Sequence, residues 1–105
     1  MVFQAVPNQA TCVTLKSTVI DWSTSSYFKA TLSANIAFTF TNQVAGQTIF
    51  VDLLNTTKNW LATFPTTVKW ANGVKPTSTP GNVHDAYTLT FNGTDTLGSV
   101  IQNMS

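Results

Sequence analysis

Apolar and polar residues alternate along most of this chain, with a period of two that predicts β-strands. The clearest case is "NIAFTF", in which Ile36, Phe38 and Phe40 fall on one face of a predicted strand. The same alternation recurs in "NWLATF" and "AYTLTF", and turn residues separate these segments. No stretch sustains the 3.6-residue period of an amphipathic helix. The pattern predicts an all-β fold, an antiparallel β-sandwich or a small barrel of about seven to nine short strands.

The segment "QTIFVDLL" is apolar on both faces of its predicted strand. Ile49, Val51 and Leu53 fall on one face, and Phe50 and Leu54 fall on the other. Strands that are covered on both faces have nearly continuous apolar sequences. The segment is therefore predicted to be a central strand or a contact between copies, and its five apolar residues are the predicted oligomer interface.

The stretch "VKWANGVKP" carries the strongest turn signal in the chain. Asn72-Gly73 is typical of a type I′ hairpin turn, because both central residues of that turn need positive φ. A hairpin centred there would pair Trp70 with Lys75 and would end at the following proline, which has no N–H to donate. Trp70 then either packs over the end of the sandwich or forms a surface contact together with Lys69 and Lys75.

The composition is poor in charge and rich in small polar residues. Charged residues make up 9% of the chain, against about 25% in a typical soluble domain. The net charge of +1 provides no basic patch for DNA or RNA, so we expect no nucleic-acid partner. Few charges favour association between copies. Hydration by the abundant Thr and Asn residues is the alternative, and it would leave a soluble monomer.

Residues that could carry chemistry are few and scattered. One Cys, one His and isolated Asp residues offer neither a zinc spacing nor a calcium loop. His84 and Asp85 are neighbours, so on a strand they would point to opposite faces, and in a loop they would be solvated. Asp21 and Asp52 could supply two carboxylates, but nothing in their spacing selects them. We expect no catalytic residue, no metal and no cofactor, and we expect Cys12 to be a buried apolar side chain.

The chain shows no sign of a targeting or membrane-spanning segment. Its first ten residues, "MVFQAVPNQA", lack the basic and apolar parts of a signal peptide. No apolar run approaches the roughly 20 residues of a membrane span. We therefore expect the protein to be made in a cytoplasm and to have no membrane partner.

A resemblance to a known family rests on the order of four segments, which are "IDWSTSSYFKATLSANIAFTFTN", "AGQTIFVDLLNTTKNW", "TFPTTVKWANGVKPT" and "AYTLTFNGTDTLGSV". Read in this order, they resemble a small β domain of tailed-bacteriophage virion proteins, which occurs in fibres, spikes and short head or tail accessory proteins. The resemblance covers roughly residues 18–103. Near the last hairpin, where the family has aromatic residues, this chain has Asp95, Thr96 and Leu97.

The resemblance implies a homotrimeric, non-enzymatic module located in the virion. On that basis we expect the protein to decorate or cement a capsid, with the major capsid protein as its partner. An element of a tail fibre or spike is one alternative. A carbohydrate-binding module is an alternative of another class, in which Trp22, Trp60 or Trp70 would stack on a host glycan.

Residues 1–17 precede the segments that carry the resemblance, and residues 18–105 form one predicted β domain. Because a free-standing copy of the module needs its own attachment surface, residues 1–17 are interpreted as a docking arm or an added edge strand. The alternative is that they only complete the sheet of the domain itself.

Overall fold

The structure is a computed structural model that describes residues 12–56 and 60–105. Its described residues form ten strands and one turn of 3₁₀-helix at Ala71–Gly73. The predicted all-β class is confirmed. The strands are β1 (Cys12–Thr14), β2 (Val19–Asp21), β3 (Tyr27–Leu32), β4 (Ile36–Ala37), β5 (Thr39–Thr41), β6 (Thr48–Asn55), β7 (Ala62–Thr63), β8 (Val68–Trp70), β9 (His84–Phe91) and β10 (Thr96–Met104).

Six of these strands form one mixed sheet in the order β1-β3-β6-β9-β10-β8. Strands β1, β3 and β6 run parallel to one another, and β9 runs antiparallel to both of its neighbours, β6 and β10. Strand β8 lies parallel to β10 at the far edge. Two small parallel sheets, β2-β5 and β4-β7, complete a sandwich-like arrangement.

The mixed pairing differs from the antiparallel pairing that the sequence predicts. Parallel neighbours cannot be joined by a tight hairpin and need a crossover connection. Here the chain leaves the large sheet between β1 and β3 to form β2, and again between β3 and β6 to form β4 and β5. Alternation of apolar residues carries no information on strand direction, so it indicates the strands and not the crossovers.

One apolar core joins the three sheets. Trp22, which directly follows β2, is buried in the same cluster as side chains of the large sheet. Near its centre the rings of Phe64 and Tyr87 lie 4.8 Å apart. Burial raises the pKa of Tyr87 to about 12, with a further upward contribution from the charge of Asp85 and an opposing one from a hydrogen bond with Ser78. The Tyr87 hydroxyl is therefore neutral at physiological pH.

The turn predicted at Asn72-Gly73 is present, but the predicted hairpin is not. Asn72 and Gly73 have positive φ values of 59° and 68°, and the Val74 N–H donates to the Ala71 carbonyl oxygen at 3.2 Å. These features confirm the turn. The hairpin is wrong, because the chain does not return along β8 after the turn and β8 pairs with β10 instead. The turn chemistry is local, whereas the strand partner is decided by the packing of the whole sheet.

Replacing Gly73 by Val is expected to lower the free energy of unfolding by about 1 to 2 kcal/mol, because a β-branched residue resists positive φ. A Cβ at this position would meet no heavy atom within 4 Å, so backbone strain is the whole of the expected effect. The measurement is urea unfolding. Gly73→Asn is the matched control, since Asn tolerates positive φ, and equal losses for the two variants would contradict this explanation.

The predicted N-terminal arm, residues 1–17, is described only from Cys12 onwards. Its described part contributes β1, an edge strand that pairs in parallel with β3. Residues 1–11 lie outside the described residues. The Cys12 side chain is exposed, so the expectation of a buried thiol is wrong. Cys12 is exposed because it begins an edge strand and its side chain lies on the side of the sheet that points away from the core.

Candidate functional site

The three tryptophans were candidates for a sugar-stacking platform, and the structure places all three against the core. Trp22 is 1% exposed, and its indole N–H has no hydrogen-bond partner among the described residues. Trp60 is half-buried and packs against the core cluster. Trp70 packs edge-on against Phe64 and Tyr87, with ring centroids 5.7 and 6.0 Å apart. Of the two interpretations of Trp70, the packing one fits this geometry.

The predicted surface contact of Lys69, Trp70 and Lys75 is not brought together. Successive residues of a strand point to opposite faces. Val68 is buried and Trp70 half-buried on the core side of β8, while Lys69 is exposed on the other side. Lys75 lies beyond the turn and is also exposed. The three side chains therefore do not share one surface.

The predicted interface on β6 is corrected by the position of that strand. Strand β6 lies inside the large sheet, between β3 and β9. Ile49, Val51 and Leu53 point into the core and are almost fully buried, so they cannot contact another copy. Phe50 is exposed and Leu54 half-exposed on the opposite side of the strand. Only these two of the five predicted interface residues remain available.

The side of the large sheet that points away from the core is called the outer face below. It has no covering layer among the described residues, because both small sheets share the core cluster on the other side. Its residues are Cys12 and Thr14 on β1, Tyr27, Lys29 and Thr31 on β3, Thr48, Phe50, Asp52 and Leu54 on β6, His84, Ala86, Thr88 and Thr90 on β9, Leu97, Ser99, Ile101 and Met104 on β10, and Lys69 on β8.

Exposed apolar side chains gather on the outer face. Within residues 12–56 and 60–105, nine large apolar residues are exposed, and five of them lie on this one face. The sequence indicated only Phe50 among them; the alternation in "TLGSVIQNM" is the signal that could have identified those on β10. The five and their exposed fractions are Tyr27 40%, Phe50 46%, Leu97 47%, Ile101 68% and Met104 40%.

Asp52 and His84 form an ion-pair geometry on the outer face. The Nδ1 atom of His84 lies 2.7 Å from Oδ1 of Asp52. Sheet register places Asp52 opposite Ala86, two residues along from His84, so the two side chains are diagonal neighbours on one face. Shallow depressions of about 280 and 360 Å³ flank the pair. The sequence did not indicate it, because 32 positions separate its members.

The pair orients an imidazole, and among residues 12–56 and 60–105 no nucleophile is hydrogen-bonded to it. In a catalytic triad the second imidazole nitrogen takes a proton from a hydroxyl or thiol. Among the described residues, the only hydrogen-bond partner of the His84 side chain is Asp52. Nearby, burial raises the pKa of Tyr27, with a smaller contribution from the negative charge of Asp52, so its hydroxyl stays neutral.

The other titratable candidates have local structural roles. Asp21 accepts hydrogen bonds from the Ser23 hydroxyl at 2.7 Å and from the Asn42 amide at 2.9 Å. The bond from Asn42, followed by those from Ser23, lowers the pKa of Asp21. Asp21 lies in the β2-β5 sheet and Asp52 in the large sheet, so they share no cleft. No group of three or more His, Cys, Asp or Glu residues within the described ranges is placed to hold a metal.

A further depression of about 360 Å³ lies between residues 15–18 and residues 30–38. Its floor is largely apolar, and Lys16 is its one ionisable side chain among the described lining residues. A lone ammonium group supplies no acid-base pair. No helix in the described part of the chain is long and apolar enough to cross a membrane.

Comparison with known proteins gives no relative from which a role could be transferred. No protein-family model, no curated protein and no solved structure matches this chain. A functional proposal therefore rests on the residues themselves, on the geometry of the outer face and on the resemblance of the sequence segments.

Proposed function

We propose that this protein is a non-enzymatic structural protein of a bacteriophage virion, a homotrimeric β module that decorates or cements the capsid. The observation that carries the proposal is the outer face, a broad sheet surface that no described residue covers and on which exposed apolar side chains gather. Such a surface is typical of a contact between proteins. The virion context is supported by the sequence resemblance alone.

The chemistry of the surface supports a contact role. Leaving large apolar side chains in water costs about 25 cal/mol per Å² of apolar area, which association recovers. With only 9% charged residues, the surface has little electrostatic repulsion with which to keep copies apart. Both features favour stable assembly over a freely diffusing monomer.

The arrangement of titratable groups supports a role without catalysis. General acid–base and nucleophilic catalysis need converging groups within hydrogen-bond reach of a reacting atom. The one such pair that we identify, Asp52 and His84, lies on an open face with shallow depressions at its sides. An enclosed site excludes water and so strengthens the electrostatic interactions of its charged groups. Asp52 and His84 lie outside any such enclosure within the described part of the chain.

A tail fibre or spike element is the alternative location, since the same trimeric module would serve in either part of a virion. The test is immunogold imaging of particles of the phage that encodes the chain, with an antibody raised against the purified protein. Label over the head, together with retention on immobilised major capsid protein, is the expected result. Label on the tail selects the fibre alternative, and unlabelled particles would contradict the virion proposal.

A carbohydrate-binding role has one observation in its favour, although the tryptophan platform does not exist. Tyr27 and Phe50 are exposed neighbours with ring centroids 6.4 Å apart, and polar groups of Asp52 and His84 lie on the same face. An exposed aromatic surface beside hydrogen-bonding groups is suited to stacking on a sugar ring. Binding of glycans that depends on Tyr27 is the result that would favour this role.

A further inference from the structure

The outer face has two apolar parts of different shape. Tyr27 and Phe50, the aromatic pair, lie opposite each other on β3 and β6. Leu97, Ile101 and Met104, the aliphatic strip, follow β10. Strand β9 separates the two parts with a column of small side chains, which are Ala86, Thr88 and Thr90.

Sheet register aligns the aromatic pair with a gap in the aliphatic strip. Tyr27 lies opposite Phe50, Phe50 opposite Thr88, and Thr88 opposite Ser99. Ser99 is small, and its neighbours on the same face of β10 are the larger Leu97 and Ile101. Those two side chains and Ser99 therefore form a notch in the strip, and the notch lies in the same row as the aromatic rings.

We propose that the aromatic pair of one copy packs into the Leu97–Ser99–Ile101 notch of the next copy, so that copies join through two different parts of the outer face. The inference rests on the proposed function in that it takes the chain to be an assembling module. A contact between unlike patches is heterologous, and it forms a closed ring when the rotation between copies completes a circle. Three copies close such a ring around a three-fold axis, with the outer faces turned inward.

The size of the face is consistent with this arrangement. Strands about 4.8 Å apart and residues about 3.3 Å apart give an outer face of roughly 25 by 20 Å, or about 500 Å². In a closed ring each copy uses both parts of its face. Removing one copy would expose about 500 Å² on that copy and as much on its neighbours, and a total of about 1,000 Å² is the lower limit for a specific contact.

The contact is expected to depend on apolar packing more than on charge. The ionisable groups of the face other than Tyr27 and Cys12 are Lys29, Lys69 and the pair Asp52 and His84. Because few charges lie at the contact, salt has little electrostatic attraction to weaken. The oligomer should therefore persist when the salt concentration is raised.

Light scattering on the purified chain gives the first test. At tens of micromolar protein, the wild-type chain is expected to have the mass of a trimer. Phe50→Asp should weaken association by at least about a hundredfold, because it places a carboxylate against apolar side chains. Ser99→Tyr should weaken it as well, by filling the notch. Val44→Asp is the matched control and should leave the trimer intact, since Val44 is 64% exposed and lies in the loop between β5 and β6, outside the large sheet.

Disulfide trapping tests whether the contact joins unlike patches. Two proteins are made in a Cys12→Ser background, one with Tyr27→Cys and the other with Ser99→Cys. Each protein then carries a single cysteine, so no intrachain bridge can form and every disulfide joins two copies. A covalent dimer is expected when the two proteins are mixed and oxidised, and not when either is oxidised alone.

Three results would overturn the inference. A trimer that survives Phe50→Asp and Ser99→Tyr shows that copies meet through another surface, and the virion proposal stands. Covalent dimers formed by either cysteine protein alone show a contact between like patches. A wild-type monomer that binds glycans, and loses that binding on Tyr27→Ala, assigns the aromatic pair to a sugar. Immunogold labelling of the particles decides the virion proposal independently of all three.

Discussion

Gly98→Ala is expected to lower the free energy of unfolding by about 2 to 3 kcal/mol, although Gly→Ala at an unstrained position commonly stabilises a protein. A Cβ at residue 98 would lie 2.7 Å from Cζ3 of Trp70 and 2.9 Å from Cγ1 of Val68. The indole ring cannot simply move away, because it packs against Phe64 and Tyr87. Urea unfolding of the purified variant gives the measurement.

A double-mutant cycle with Trp70→Leu tests the cause of that loss. If the indole ring is the obstacle, Gly98→Ala should cost less than about 1 kcal/mol once the ring is absent, which corresponds to a coupling energy above 1 kcal/mol. Ser99→Ala, at the adjacent exposed position, serves as the control and should change stability by less than about 0.5 kcal/mol. A full Gly98→Ala loss in the Trp70→Leu background would show that the ring is not responsible.

The close contact of Trp70 with Gly98 shows why the sequence predicts the turn in this region but not the strand that pairs with β8. The Asn-Gly step predicted the turn correctly, because positive φ is a property of two residues and their backbone. The strand that pairs with β8 is decided by a contact between residues far apart in the sequence, which the local pattern does not contain. At the position paired with Trp70, β10 has Gly98, which leaves room for the indole ring.

The candidate contact face was predictable only in part for a related reason. The two-sided apolar pattern of β6 predicted a central strand or a contact between copies, and it placed Phe50 on the face opposite Ile49 and Val51. It could not tell which face the small sheets would cover. The exposed residues of β10 share their face with Phe50 only because β9 joins the two strands, and this proximity is a property of sheet topology.

The pairing of Asp52 with His84 arises in the same way. Each residue, considered alone in the sequence, was one isolated titratable group. They meet because β6 and β9 pair in a register that makes them diagonal neighbours. The neighbour of His84 in the sequence, Asp85, points to the opposite side of β9 and is buried there. Both residues lie on β9 and face opposite sides of it, as expected for a strand, whereas the alternative of solvated loop residues is wrong for the buried Asp85.

Asp85→Ala is expected to lower the free energy of unfolding by about 3 kcal/mol, because it removes the buried acceptor of three partly buried hydrogen bonds. The Asp85 carboxylate is 3% exposed. It accepts hydrogen bonds from the Thr79 N–H at 2.8 Å, the Asn103 N–H at 3.0 Å and the Gln102 amide at 3.3 Å. These bonds fix the loop that follows β8 to the end of β10. The measurement is again the midpoint and slope of urea unfolding.

Two further variants separate the hydrogen bonds of Asp85 from its size and charge. Asp85→Asn keeps the shape but turns an NH₂ group toward one of the two backbone donors, so its loss should fall between those of Ala and wild type. Asp95→Ala, which removes a carboxylate without a side-chain hydrogen bond in the described structure, should cost less than about 0.5 kcal/mol. Similar small losses for all three variants would show that the carboxylate does not hold the loop. A large loss of stability in Asp85→Ala should also disturb the packing of the aliphatic strip. Asn103 and Gln102, which bond to Asp85, lie beside Ile101 and Met104 on β10.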